Sequence, residues 1–301
     1  RQPYMVTDWF RLHGYVPGQN IATIVNVTTM TDKARHLFYI NRPQILSKAD
    51  FRNNCPKYDE QTIVIGCYES GQRGIYVLKV DDQRLKGVEE VTAAHEMLHA
   101  AYERLSGSEK QRIDTLLQSY ADSELTDERI KAALESYRKS EPGQEYNEMH
   151  SMFGTEIGTL PSELESYYGQ YFKSRADVVA AADAYQDAFT NRQANIASYD
   201  AQLEALNKQV KSSTQELQDR SAAIESQRRT LDSLRTTGAI ESYNAGVEPF
   251  NASVVAYNSL LETTRQQIDR YNAIVAERNA IAAQTLELQQ AIDSSDLPQS
   301  Q

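Results

Sequence analysis

The residues of this chain best suited to chemistry are His95-Glu96-Met97-Leu98-His99, a His-Glu-x-x-His pattern. On a helix, residues four apart project from one face, so the two imidazoles can converge on one metal ion. Glu96, beside the first histidine, can reach a water at that metal as general base. Neutral imidazoles suit zinc, whose charge lowers the pKa of water toward 7. With average histidine and glutamate usage, a chance match in a chain of this length is on the order of 1%. The pattern therefore carries weight.

Such a pattern needs a helix, and its surroundings predict one over residues 88–105, after Gly87 and before Gly107. Ala93-Ala94 and Ala100-Ala101 allow neighbours to pack closely, while Val91, Leu98 and Leu105 supply an apolar face. Upstream, residues 62–69 and 74–80 read as strands joined by the hairpin signal Ser70-Gly71-Gln72-Arg73. That hairpin could bring an edge strand beside the site for an extended peptide. Residues 20–27 and 35–40, apolar and β-branched or aromatic, also read as strands. Downstream, Ser108 with Gln111 resembles a capping box, Thr126 can cap a helix running through Arg138, and Pro142 can open another running to about Gly158.

Composition narrows the function classes. The chain has 301 residues, a net charge of -11, 40% apolar and 24% charged residues. Net acidity argues against a nucleic-acid partner, since phosphate contacts need an excess of Lys and Arg on some face. No apolar run approaches the roughly 18 residues of a membrane span. Cys55 and Cys67 are the only cysteines and show no paired Cys-x-x-Cys metal spacing. Neighbouring strands can bring such a pair within disulfide reach, and a bridge would indicate an oxidising compartment. The chain opens with Arg1 rather than Met, as after removal of an N-terminal signal or anchor. An extracytoplasmic or secreted location is expected.

Breakers divide the chain. Residues 170–237 and 250–297 contain neither Gly nor Pro, whereas all five histidines and both cysteines lie in the first half. We therefore expect an α+β domain over 1–160 and long helices over 161–301. Ala182, Phe189, Ile196, Leu203, Val210, Leu217, Ile224 and Leu231 recur every seven residues. Ile240, Val247, Val254, Leu261, Ile268, Val275 and Ala282 do the same. Tyr243, Phe250, Tyr257 and Tyr271 form a second seam three residues later. A strict period of seven predicts a left-handed coiled coil, here an antiparallel hairpin turning within residues 236–246. Its second helix is the shorter, so the pair is either ragged or completed by a partner chain, such as a second copy in a homodimer. Asn244, Asn251, Asn258, Asn272 and Asn279 share one heptad position, either a solvated flank or a stripe facing a partner.

With these residues in view, the chain resembles zinc metallopeptidases of the thermolysin-like, or gluzincin, type. In that group a hairpin precedes the His-Glu-x-x-His helix, and a glutamate on a later helix completes the metal site. Asn147-Glu148-Met149-His150-Ser151 is similar to the Asn-Glu-x-x-Ser string of thermolysin. The run from His95 to Ala100 followed by Leu105 and Gly107, with Phe153-Gly154 five and six residues after Glu148, is similar to clostridial neurotoxin light chains. The resemblance spans roughly residues 60–160 and rests on short motifs. Glu148 lies 49 residues after His99, farther than in either comparison, and Met152 stands where thermolysin has an aspartate.

The resemblance implies a zincin-like domain holding Zn²⁺ by His95, His99 and Glu148, with Glu96 as general base. Glu156 and His150 are the other candidates for the third ligand. Glu148 and His150 point roughly 200° apart on one helix, so both cannot face the metal. Tyr146, His150, Tyr167, Tyr168 and Tyr171 are candidates to stabilise the oxyanion. The activity implied is a zinc-dependent endopeptidase acting on a peptide or protein substrate. The alternative from another class is a non-catalytic coiled-coil scaffold with a structural or degenerate metal site. A third is zinc hydrolysis of a different amide, such as one in a cell wall.

Overall fold

A computed structural model describes residues 4–55, 64–140 and 142–294. The chain is mostly helical, with a small three-stranded sheet and two long C-terminal helices. It divides into two compact units: Arg1–Phe189 with Glu287–Gln301, and Thr190–Leu286. The boundary expected near Pro161 falls inside the first unit. Leu164, Tyr167, Tyr168, Tyr171, Phe172, Val178 and Ala182 all join that unit's core.

The first unit begins with α1 (Met5–Leu12), α2 (Gln19–Val27) and α3 (Asp32–Ile40). The latter two replace the strands expected over 20–27 and 35–40. Ile21, Ile24 and Val25 are buried at helical spacing, as are Ala34, Leu37 and Phe38. Burial of these helix-spaced faces outweighs the β preference of the side chains. Thr31 caps α3 by accepting a hydrogen bond from the Ala34 amide.

β1 (Gln44–Leu46) and α4 (Lys48–Asn54) follow, then the hairpin of β2 (Gly66–Glu69) and β3 (Gly74–Leu78). The expected hairpin is present over these residues; 62 and 63 lie outside the described residues. Strand order is β1-β3-β2, with β1 parallel to β3 and β2 antiparallel to it, Cys67 opposite Tyr76. Cys55 and Cys67 form a disulfide with Cα atoms 6.2 Å apart.

α5 (Val88–Glu103) carries the His-Glu-x-x-His pattern and packs on α2, α3, β2, β3 and α8 (Glu145–Glu156). Between α5 and α8 lie α6 (Gly107–Ser123) and α7 (Glu128–Ser140). The capping box of α6 is Ser106 with Glu109, not Ser108 with Gln111, because Gly107 is the first residue of α6 rather than the stop of α5. The Asp127 carboxylate, not Thr126, accepts the first free amides of α7, those of Arg129 and Ile130. Gly154 brings α8 against α5: a Cβ there would lie 2.5 Å from Leu98 Cδ1 and 2.7 Å from Tyr168 Cε1.

α9 (Ser162–Tyr168) precedes α10 (Arg175–Thr236) and α11 (Ile240–Ile292). α10 starts later than residue 170 because Phe172 bridges Met30. Buried Arg175 donates to the carbonyls of Phe153, Ile157 and Gly158 and pairs with Glu165, closing the C-terminal end of α8.

In the second unit α10 and α11 run antiparallel. Leu231 lies against Gly246, Ser213 against Gln267 and Asp200 against Arg278. The turn is short, through Gly238 at φ +75°, and Gly246 and Pro249 lie within α11. Pro249 and Ala245 are exposed, so the carbonyl that Pro249 cannot serve faces water. The α10 seam through Leu203, Val210, Leu217, Ile224 and Leu231 is half-buried as expected. On α11 the aromatic seam is half-buried with Thr264 buried within it, and its companion is Gly246, Ser253, Leu260, Gln267, Ile274 and Ile281. The stripe Ile240 to Ala282, expected in the seam, lies at its edge: Val247, Val254, Leu261, Val275 and Ala282 are half-buried, whereas Ile240 is 59% and Ile268 41% exposed.

Candidate metal centre

α5 is buried along most of its length, and its small residues Ala93, Ala94, Ala100 and Ala101 allow its neighbours to approach. His95 and His99 leave its surface one turn apart, their ring centroids 4.7 Å from each other. α8 supplies Glu148, whose Oε2 lies 3.7 Å from His95 Nε2 and whose Oε1 lies 3.5 Å from His99 Nε2. These three residues offer donor atoms all within 4.8 Å of one another.

The separations fit a shared metal better than direct bonding. They exceed hydrogen-bond reach. Zinc bonds of about 2.0–2.2 Å at tetrahedral angles put neighbouring ligand atoms about 3.4 Å apart. Glu148 Oε2 is buried and makes no hydrogen bond, a costly state for a carboxylate oxygen unless a cation serves it. Burial would raise the Glu148 carboxyl, but the facing His99 and His95 more than offset it and hold it below its ordinary range. Two imidazoles and one carboxylate are a donor set used by catalytic zinc.

Neighbours orient the imidazole of His99. Its Nδ1 lies 3.0 Å from Asn147 Oδ1 and 3.2 Å from Ser151 Oγ. The Asn147 amide nitrogen is turned to Gln144, so the amide oxygen faces the ring and accepts from Nδ1–H. This leaves the Nε2 lone pair toward Glu148. The Asn-Glu-x-x-Ser spacing thus puts Asn147 and Ser151 on one histidine and Glu148 between the two. The string was visible in the sequence, but the role of its outer residues needed the fold.

The other third-ligand candidates lie elsewhere. Glu156 accepts from Arg129 at 2.6 Å and from Gln186 at 3.0 Å. His150 is fully buried with Nε2 2.8 Å from the Tyr167 hydroxyl. Burial, then the charges of His99 and His95, push the His150 imidazole down to about 3.

A cavity of about 700 Å³ opens on the cluster, lined by His95, Glu96, His99 and Glu148 together with Gly66 and Tyr68 of β2. Glu96 is itself buried, its Cγ and Oε1 against Gly66, where a Cβ would lie 2.8 Å from Oε1. None of the tyrosines proposed for the oxyanion lines this cavity. Tyr167, Tyr168 and Tyr171 are core residues, and His150 is buried with them. The lining tyrosines are Tyr68, Tyr102, Tyr137 and Tyr185, of which Tyr68 donates to Glu103 and Tyr102 to Asp114. They were missed because they lie far apart in sequence and share no motif.

No protein-family model matches the chain, and neither a curated protein nor a solved structure matches it. The functional reading therefore rests on the site itself.

Proposed function

We propose that the chain is a zinc-dependent endopeptidase with a zincin-like domain of the gluzincin type. The observation that carries this reading is the convergence of His95, His99 and Glu148 at the wall of a cavity that also holds Glu96. Bound zinc supplies Lewis acidity, lowering the pKa of water and polarising a carbonyl oxygen. His95 and His99 present neutral nitrogen donors, and Glu148 adds one negative charge. Asn147 keeps His99 in the tautomer that donates from Nδ1 and leaves Nε2 free. Glu96 takes a proton from the attacking water and returns it to the leaving amine, so its carboxylate ends each cycle unchanged. β2, the edge strand of the sheet, lines the cavity and can align an extended peptide there by backbone hydrogen bonds.

The scaffold reading would make the metal structural, and structural zinc uses four protein ligands. The described residues gather three, which favours an open position for substrate. The Cys55–Cys67 disulfide supports an oxidising, extracytoplasmic compartment.

Zinc content is the first test. Purified protein should hold about one zinc per chain, and His99→Ala should lose it. Digestion of an unstructured protein such as casein should then depend on zinc and disappear in Glu96→Gln. No zinc after incubation with the metal would remove the enzyme reading.

A further inference from the structure

We infer that α11 carries a second coiled-coil seam on its outer face and that this seam pairs antiparallel with α11 of a second copy of the chain. The second unit shows an asymmetry between its helices. Its exposed large apolar residues, Ile240, Val255, Ile268 and Leu286, all lie on α11 and none on α10 among the described residues. The flank of α10 beside the hairpin seam is polar, with Asp200, Asn207, Thr214, Ser221, Arg228 and Arg235. The matching flank of α11 is the stripe Val247, Val254, Leu261, Ile268, Val275 and Ala282. Of the exposed residues, Ile240 and Ile268 belong to this stripe, and Val247, Val254, Leu261, Val275 and Ala282 are half-buried, so the hairpin covers the stripe only in part.

Period and spacing identify the occupant as a helix. The stripe repeats every seven residues, which stays in register only along another helix in a left-handed supercoil. Three or four residues from each member stand Asn251, Asn258, Arg265, Asn272 and Asn279, all exposed. Apolar and asparagine positions thus alternate at the 3-4 spacing of a and d sites. Buried asparagines in such a seam fix register and partner at some cost in stability.

Charge placement favours a second copy in antiparallel orientation. When each apolar position of one α11 faces an asparagine position of the other, Val254 meets Asn272 and Ile268 meets Asn258. Leu261 then meets Arg265, and the two-fold axis passes near residue 263. That axis sets Glu262 of each chain beside Arg265 of the other, giving two reciprocal ion pairs at the centre of the seam. Both side chains are exposed, and Arg265 makes no ion pair among the described residues. A parallel arrangement would instead oppose Arg265 to Arg265 within the seam.

Sedimentation equilibrium of the full chain at roughly 1–100 µM tests this, since self-association must follow concentration. The expected result is a species of twice the 34.0 kDa chain mass. Ile268→Glu should give the monomer with unchanged helicity, because that side chain is 41% exposed within the hairpin. Arg265→Glu should weaken the dimer about tenfold or more, and Glu262→Arg combined with Arg265→Glu should restore it. A monomer at every concentration, or a dimer indifferent to both Ile268→Glu and Arg265→Glu, would overturn the inference. Failure of the double variant to recover would overturn the antiparallel register.

Discussion

The amide oxygen of Asn147 lies 3.0 Å from Nδ1 of His99, so the residue beside Glu148 in sequence holds the imidazole across the site. One short segment of α8 therefore supplies both a candidate ligand and the group that orients another. Asn147→Ala should lower zinc affinity by about 10- to 100-fold while leaving the fold intact. Competition with a chromogenic chelator would measure it; unchanged affinity would show that Ser151 alone suffices.

Glu96 is predicted to act on protons and not on metal. Glu96→Gln should retain full zinc content and lose proteolytic rate by about 10²- to 10⁴-fold. Equal loss of zinc in this variant would instead make Glu96 part of the metal site.

Gly66 controls how closely β2 approaches Glu96. A Cβ at this position would lie 2.4 Å from Thr92 Cγ2 and 2.8 Å from Glu96 Oε1. Gly66→Ala should lower kcat by up to about 100-fold through misplacement of Glu96, with KM and zinc content little changed. Adding Thr92→Ser removes one of the two clashes and should recover part of the rate. Loss of zinc together with rate would point to general damage to the fold.

Arg175 holds the C-terminal end of α8. Its guanidinium is buried among the carbonyls of Phe153, Ile157 and Gly158, with Glu165 as its ion-pair partner. Arg175→Leu would strand these acceptors and should cost about 3 kcal/mol. Urea unfolding monitored by circular dichroism would read the loss as a lower midpoint. A change within error would mean that water replaces the guanidinium.

Asp8 docks α1 through Arg104 at 2.6 and 2.8 Å, with His36 and Gln72 also in reach. Burial alone would raise its carboxyl, but Arg104 and His36 outweigh that and hold it below the ordinary 3.8. A depressed native pKa gives stability that is present above the unfolded value and is lost as pH falls through the native one. Asp8→Asn should therefore cost about 1 kcal/mol at neutral pH, a modest figure because solvent screens the cluster. The difference from wild type should shrink below about pH 4. Thermal melts of both proteins from pH 7 to pH 3 would test this, and a constant gap would refute it.

The sequence by itself determined the features whose physics is local. His95 and His99 lie one helical turn apart, so their convergence follows from helix geometry wherever the helix packs. The β2–β3 hairpin follows from its turn residues, and the antiparallel helices follow from a seven-residue period and the breaker at Gly238. The tertiary structure decided whatever depends on which faces meet. Residues 20–27 and 35–40 are rich in strand-favouring side chains, yet burial of Ile21, Ile24 and Val25 along one face makes the former helical. The stripe from Ile240 to Ala282 and its neighbour one residue earlier read almost alike as heptads, and the packing of the hairpin, with Leu231 against Gly246 and Ile274 buried where Ile268 is exposed, distinguishes them. Glu148, Glu156 and His150 share one helix, and its rotation against α5 alone brings Glu148 to the two histidines. That rotation is set by long-range packing, through Gly154 against Leu98 and Arg175 at the helix end, which no short motif records.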